Sequence, residues 1–124
     1  MTHHRLEKFR GVYSLLLTPF REAGEIDWAG YEHYVQWQLS FKPQGLFAVC
    51  GSSEMKWLAL EERLELMRRA VRLAGNTPVV ATANLEPAER QADEVRLAEQ
   101  TGLSGLVLVP PPGLGYDQEA LQRH

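Results

Sequence analysis

The sequence predicts an α/β protein built from parallel strand–helix units. Four short apolar runs, rich in strand-forming residues, begin near residues 12, 46, 79 and 106. A helical pattern follows each of the first three runs, and the start of another follows the fourth. A step of roughly 30 residues is typical of the βαβ repeat. Two architectures fit this step: a compact doubly wound sheet, or the first half of a (β/α)8 barrel, which takes about 250 residues in full.

Composition and charge narrow the class of protein. The 124 residues suffice for one domain, and we expect residues 1–10 to be an amino-terminal extension of it. The net charge is −3 and the basic residues do not cluster, which argues against nucleic-acid binding. No apolar run approaches the ~18–20 residues of a membrane span, and the amino terminus does not resemble a secretory signal. We therefore expect a cytoplasmic protein.

The single cysteine, Cys50, cannot form an intramolecular disulfide. The sequence also predicts neither a metal site nor a cofactor.

The first half of the chain is predicted to contain two strands and one helix. Val12–Leu17 is the first strand, and Pro19 ends it because proline cannot continue a central strand. Asp27 is the expected N-cap of the helix. The inward positions of that helix are Tyr31, Tyr34, Val35 and Leu39. Leu46–Cys50 is the second strand, apolar nearly throughout, as in a strand buried on both faces.

The second half begins with a strongly amphipathic helix, Leu60–Ala74. Its apolar positions recur at steps of three and four residues: Leu60, Leu64, Met67, Val71 and Ala74. Ala59 stands where a capping Ser or Thr is usual, so no side-chain acceptor is expected there. The remaining predicted elements are the strand Pro78–Ala83, a helix that Pro87 opens and that runs to about Thr101, the strand Gly105–Val109, and a last helix capped by Asp117.

The predicted strand ends carry neutral hydroxyls and an amide. These residues are Thr18, Ser52, Ser53, Thr82 and Asn84. In parallel sheets the carboxyl ends of the strands are where ligands bind, and small hydroxyls beside exposed N–H groups suit a carboxylate. A purely structural alternative is that Ser52 and Ser53 satisfy the backbone of their own turn. A doubly wound domain that binds an anion is disfavoured, because no phosphate loop or acidic cluster follows any strand.

Several segments together resemble one known family. Gly11–Phe20 with Gly24–Asp27 is similar to the opening of the dihydrodipicolinate synthase / N-acetylneuraminate lyase family. Gly45–Glu54, followed by Leu58 and Glu61–Arg63, resembles the family's glycine-threonine-threonine-glycine-glutamate signature and the helix after it. Pro78–Ala81 and Gly105–Pro111 fall where its third and fourth strands would lie. The resemblance covers about residues 10 to 124 and favours the barrel, so that residues 1–124 form a single partial domain.

The resemblance implies a lyase or aldolase that joins a lysine to a 2-keto acid, often pyruvate, as a Schiff base. It implies that the hydroxyl pair after the second strand holds the keto-acid carboxylate and that one hydroxyl relays protons. Aligned without a gap from Glu54, Gly51 and Ser52 occupy the two threonine positions and Ser53 the second glycine. With one residue deleted, Ser52 and Ser53 match the threonines, which we favour because serine preserves the hydroxyl. The predicted substrate-binding residues are Gly51, Ser52 and Ser53, with Ser52 as the possible proton relay.

Two departures from the family pattern bear on function. The family's synthases place tyrosines after the fourth strand, whereas Pro110, Pro111 and Pro112 stand here and Tyr116 comes later. This argues for a divergent member rather than for dihydrodipicolinate synthase itself.

The Schiff-base lysine belongs to a sixth strand, and the three lysines present, Lys8, Lys42 and Lys56, do not match it. We therefore expect a chain that is inactive alone. Its sheet edges are predicted to be unpaired, which favours a homo-oligomer. The alternative function is a non-catalytic half barrel that self-associates as a structural or regulatory module.

Overall fold

The computed structural model describes residues 4–110 and 118–123. Four short strands form the sheet: β1 (Tyr13–Leu15), β2 (Gly45–Phe47), β3 (Val79–Thr82) and β4 (Gly105–Val107). The α-helices are α1 (His4–Glu7), α2 (Trp28–Ser40), α3 (Leu60–Ala74), α4 (Gln91–Gln100) and α5 (Gln118–Arg123). Three single 3₁₀ turns, Gly51–Ser53, Met55–Trp57 and Ala88–Arg90, lie in the connections after β2 and β3.

All three strand pairs are parallel, and the spatial order is β1-β2-β3-β4. A helix lies between each pair of consecutive strands, so each connection crosses over and returns the chain to the next position in the sheet. All carboxyl ends of the strands therefore lie at one edge of the sheet, which we call the carboxyl edge. The predicted strand–helix repeat is confirmed, with strands shorter than predicted.

One face of the sheet is covered by helices. Leu16, Leu46, Val79 and Ala81 on this helix-covered face are fully or almost fully buried. They pack in one core with Tyr31 and Val35 of α2 and with Leu64, Leu66 and Met67 of α3. The Tyr31 hydroxyl donates to the Leu66 carbonyl at 3.1 Å, which links the two helices.

The opposite face, which we call the open face, also carries large side chains, and several of them are exposed. The register places Tyr13, Leu15, Phe47, Val80 and Val107 on this face. Leu15 is 46% exposed. The prediction that β2 is buried on both faces is therefore only half correct, because Phe47 is half-buried while Leu46 is buried. Periodicity cannot reveal this, since the open face is as apolar as the covered one.

The amino ends of the strands are filled by two aromatic rings. The Tyr13 ring lies directly over Gly45, and a Cβ atom at Gly45 would overlap it. The Phe9 ring lies against Gly105, where an added Cβ would be 3.2 Å from Phe9 Cζ. Glycine at these two positions lets the rings approach the backbone. Phe9 belongs to the predicted extension 1–10, so at least this residue packs on the sheet.

The predicted helix ends are largely confirmed. The Asp27 carboxylate accepts the Gly30 N–H at 3.0 Å as the N-cap of α2, and α3 has the predicted bounds. The Glu62 carboxylate accepts the Ala59 N–H at 2.8 Å, which is one of the two bonds of a capping box; the other needs a side-chain acceptor that Ala59 lacks. The helix after Pro87 differs, because residues 88–90 form a 3₁₀ turn before α4 begins at Gln91.

Candidate functional site

The loop after β2 is the central feature of the carboxyl edge. It consists of two consecutive 3₁₀ turns, Gly51–Ser53 and Met55–Trp57, joined by Glu54 in the left-handed conformation (φ 63°). The N–H groups of Ser53 and Glu54 bond within the first turn, and those of Trp57 and Leu58 bond within the second. The loop is therefore internally braced from Cys50 to Leu58.

Ser53 anchors this loop to the sheet. Its side chain is fully buried, and its hydroxyl donates to the Leu16 carbonyl at the end of β1. The same oxygen accepts the Cys50 N–H at 3.2 Å. With these bonds made inside the protein, the Ser53 hydroxyl faces the core and not the carboxyl edge.

Thr18 makes a second connection between β1 and the loop. Its buried hydroxyl donates to the Ser53 carbonyl at 2.7 Å. The predicted site residues Thr18 and Ser53 are thus brought together, and each fixes the other. Their contacts are those of the structural alternative, in which hydroxyls satisfy the backbone of a turn.

Ser52 and Gly51 have the opposite placement. Both are exposed at the top of the loop, and no atom lies within 4 Å of a Cβ built on Gly51. The space beside Gly51 is therefore open to a ligand, and the Ser52 hydroxyl lies next to it along the chain. Of the predicted hydroxyl pair, only Ser52 has an exposed side chain.

The other two predicted residues at this edge, Thr82 and Asn84, do not present free polar groups to a ligand in the way that Ser52 does. Thr82 is buried. The Asn84 side chain makes two bonds to Val109: its amide donates to the carbonyl at 2.7 Å, and its oxygen accepts the N–H at 2.8 Å. Asn84 thereby continues the β3–β4 pairing beyond the strands. It also lines an open, mainly apolar cavity of about 590 Å3 between α4 and the segment after β4.

None of the three lysines matches a strand-end nucleophile. Lys56 is exposed within the 3₁₀ loop, and Lys42 is exposed after α2. Lys8 Nζ lies 4.8 Å from the centre of the Phe9 ring, near the amino terminus. The residues Pro111, Pro112, Tyr116 and Asp117 lie outside the described part of the chain.

Sequence reasoning missed a buried ionic cluster beside the loop. Arg63 of α3 and Glu94 of α4 are buried, and Arg63 Nη2 contacts Glu86 Oε2 at 2.8 Å and Glu94 Oε1 at 3.2 Å. A signal for Arg63 existed, since it falls on the apolar stripe of α3 between Leu60 and Met67. Charged residues are usually solvated, so such a position is easily passed over.

Neither a metal centre nor a membrane span is found in residues 4–110 and 118–123. No three His, Cys, Asp or Glu side chains there are grouped so as to hold a metal ion. Within the same residues, no helix has both the length and the apolar character needed to cross a bilayer.

Comparison with known proteins identifies relatives over almost the whole chain. The 4-hydroxy-tetrahydrodipicolinate synthase of Gluconacetobacter diazotrophicus is 30% identical over 117 residues, which are 94% of this chain and 39% of that protein. A probable 5-dehydro-4-deoxyglucarate dehydratase of Chelativorans sp. is 32% identical over 114 residues, covering 92% of this chain and 38% of that protein. The chain thus spans about 40% of the length of these curated relatives.

Solved structures with the same fold come from the same group of enzymes. A monomeric dihydrodipicolinate synthase variant matches with a TM-score of 0.83 and 31% identity, over 96% of this chain and 40% of the other. N-acetylneuraminate lyase from Mycoplasma synoviae matches with a TM-score of 0.78 and 21% identity, over 86% of this chain and 37% of the other. The four strand–helix units form half of a (β/α)8 barrel, as predicted.

The family model agrees with both comparisons. The model described as the dihydrodipicolinate synthetase family matches residues 8–124, which include every strand and the loop that Ser53 anchors. The resemblance inferred from the motifs is therefore confirmed, and this chain belongs to the dihydrodipicolinate synthetase family.

Proposed function

We propose that this chain supplies the carboxylate-binding half of a lyase or aldolase that forms a Schiff base with a pyruvate-type 2-keto acid. Membership of the family supports the reaction class. The observation that carries the proposal for the site is the exposed pair Gly51 and Ser52 on a braced loop at the carboxyl edge. In barrels of this kind the active site lies at that edge.

The proposed roles of the two serines differ. The Ser52 hydroxyl donates a hydrogen bond to the keto-acid carboxylate and is the candidate proton relay. The open space at Gly51 lets the carboxylate approach the backbone. Ser53 keeps the loop in place through its bonds to Leu16 and Cys50. A fixed donor is effective because it need not reorganise when the substrate binds.

The Schiff base itself needs an amine that is partly unprotonated. Lys56 lies within the loop itself, but it is exposed and does not match the family's strand-end lysine. We therefore propose that the nucleophile lies outside residues 1–124. The proline run after β4 supports a keto-acid substrate other than that of dihydrodipicolinate synthase.

Borohydride trapping with pyruvate tests this proposal. We expect no specific adduct on residues 1–124 alone, and one adduct of reduced pyruvate per chain when the protein is extended by a further four strand–helix units from a relative. An adduct at Lys56 in the short chain would contradict the assignment of the nucleophile. Failure of the extended, folded protein to form any adduct would overturn the proposed chemistry.

A matched pair of serine variants tests the two roles. Ser52→Ala should weaken pyruvate binding without changing thermal stability, because its hydroxyl is exposed. Ser53→Ala should lower the free energy of unfolding by about 1–3 kcal/mol, because it leaves buried backbone groups without a partner. Pyruvate titration and thermal melts of both variants give the answer. Equal melting temperatures for the two variants would refute the assignment.

A second candidate is the self-associating half barrel. Large apolar side chains are exposed at both edge strands and at the residues beside them: Val12, Leu15 and Leu17 at β1, and Val107, Leu108 and Val109 at β4. The Tyr13 hydroxyl at the open face is buried and has no hydrogen-bond partner among the described residues. A twofold dimer would place β4 of each copy beside β1 of the other, still parallel, and give eight strands.

Light scattering coupled to size exclusion distinguishes this candidate. A compact, inactive dimer would support a homo-oligomeric structural module, whereas a stable monomer would exclude it. The predicted cytoplasmic location and the predicted lack of nucleic-acid or membrane partners stay predictions.

A further inference from the structure

The buried guanidinium of Arg63 holds three separate segments at the carboxyl edge. Its side chain is only 4% exposed. Nη1 donates to the Leu58 carbonyl at 2.6 Å, at the end of the loop after β2. Nη2 donates to the carboxylate of Glu86, in the connection after β3, at 2.8 Å and to that of Glu94 in α4 at 3.2 Å.

The two carboxylates are themselves fixed. Glu94 Oε2 accepts the Glu86 N–H at 2.8 Å, so its two oxygens bridge Arg63 and the backbone after β3. Arg90 Nη2 lies 3.0 Å from Glu86 Oε1, which balances two negative charges with two positive ones. This pairing offsets much of the cost of burying the charges, while the buried Arg63 Nε has no hydrogen-bond partner among the described residues.

The cluster continues to the end of β4. The Gln91 amide donates to the Glu86 carbonyl at 3.0 Å and to the Asn84 carbonyl at 3.4 Å. Asn84 in turn is bonded to Val109 through both atoms of its side-chain amide. A continuous hydrogen-bonded path therefore joins the connections that follow β2, β3 and β4.

Leu58 is rigidly connected to the exposed serine. The N–H of Leu58 bonds to the Met55 carbonyl, that of Trp57 to Glu54, and that of Glu54 to Gly51. These backbone hydrogen bonds link Leu58 through both 3₁₀ turns to Gly51, the neighbour of Ser52. At the other end of the loop, Ser53 and Thr18 hold it to β1.

We propose that Arg63 is the positioning residue of the carboxylate site, fixing the Ser52 loop against the connection after β3. Its effect on ligand binding rests on the proposed function, whereas its effect on loop order does not. A buried ion cluster that is replaced as a whole by apolar residues is often close to neutral for stability, whereas loss of one charge leaves its partners uncompensated. Arg63→Met should therefore lower stability as well as release the loop, and comparison with Met67→Ala separates the two effects.

Amide hydrogen exchange tests the effect on the loop. In Arg63→Met, the amides of Ser53, Glu54, Leu58 and Glu86 should exchange about tenfold or more faster relative to those of β3, because charge-assisted hydrogen bonds are lost. Arg63→Lys should leave these amides partly protected from exchange, since one ammonium group cannot make the hydrogen bonds of both Nη1 and Nη2. If Arg63→Met does not fold, Arg63→Lys and Glu94→Gln carry the test.

The control is Met67→Ala, a buried change in the same helix that removes none of the hydrogen bonds of the cluster. It should lower stability by creating a cavity while leaving the bonds from Arg63 to the loop in place. If the role of Arg63 is merely structural, loop exchange should be the same in Met67→Ala and Arg63→Met once both are compared at equal free energy of unfolding. That outcome would overturn the proposal. Faster loop exchange confined to the Arg63 and Glu94 variants would support it.

Pyruvate titration, followed at the Gly51 and Ser52 amide resonances, tests the effect on the ligand. We expect Arg63→Met to bind pyruvate about threefold to tenfold more weakly than Met67→Ala, since a displaced Ser52 hydroxyl forms a weaker hydrogen bond to the carboxylate. Equal affinity and equal loop exchange in the two variants would refute positioning and leave the proposed function intact. Loop loosening together with no pyruvate adduct on the extended, folded protein would support positioning and refute the proposed function.

Discussion

The two faces of the sheet are alike in composition and opposite in environment. Leu16 and Leu17 are neighbours in sequence, yet Leu16 is 0% exposed and Leu17 is 52% exposed. Leu46 and Val79 on the helix-covered face lie under α2 and α3. Leu15 and Val107 on the open face are exposed, although they are as apolar as the buried residues.

This difference shows that the half barrel buries one face of its sheet with its own helices and leaves apolar side chains exposed on the other. The helix-covered face has a core made from elements close along the chain. In a (β/α)8 barrel the helices lie outside, so the open face corresponds to the inner face of this half barrel. Exposed apolar area of this kind marks an interaction surface or a risk of aggregation.

The largest expected effect comes from the adjacent leucines. Leu16→Ala should lower the free energy of unfolding by about 2–5 kcal/mol, because it leaves a cavity in the core. Leu17→Ala should change it by less than about 0.5 kcal/mol, as for other exposed side chains. Urea denaturation of both variants measures the difference. A large cost for Leu17→Ala would mean that the open face is covered in solution, and its dependence on protein concentration would identify a second copy.

An intermediate effect is expected at the amino end of the open face. Gly45→Ala should lower the free energy of unfolding by about 1–3 kcal/mol, because the new methyl group displaces the Tyr13 ring. The double variant Gly45→Ala with Tyr13→Ala should recover part of this loss. Thermal melts of the two proteins provide the test, and an unchanged melting temperature for Gly45→Ala would show that the ring is not held there.

The smallest effect is expected from a single hydroxyl on the covered side. Tyr31→Phe should cost about 1 kcal/mol at neutral pH, through loss of the bond to the Leu66 carbonyl. Burial raises the pKa of the Tyr31 hydroxyl above its ordinary value of 10.0, with a smaller contribution from nearby Tyr34. The folded state therefore keeps this proton at a pH where the unfolded state loses it, so stability should fall as the pH rises above about 10.

Alkaline titrations of the two proteins test this sign. Above the pKa of tyrosine in the unfolded chain, Tyr31 should make the unaltered protein lose up to about 1.4 kcal/mol of stability per pH unit. Tyr31→Phe lacks this contribution, so its stability should fall less steeply with pH. Parallel titration curves for the two proteins would contradict the assignment.

Local patterns predicted most of the architecture. The steps of three and four residues in α3, the Asp27 cap and the four apolar runs were each sufficient to locate an element. They could not distinguish the two faces, since exposure of Leu15 depends on what lies opposite the sheet.

The site was predicted less completely. The hydroxyl of Ser53 turns inward to a carbonyl at the end of β1, a contact between residues distant in sequence. The same holds for Arg63, whose acceptors come from three other segments. Side-chain chemistry located the loop, but which hydroxyl faces the ligand depends on tertiary contacts.

The ring of Phe9 against Gly105 also has a consequence for how the chain folds. These two residues come from opposite ends of the sheet's sequence, while most other core contacts join neighbouring strand–helix units. Contacts with a large separation along the chain form late, because the entropy of closing a long loop must be overcome first. We expect the units around β2 and β3 to become ordered first and the Phe9 contact to be the last step of folding.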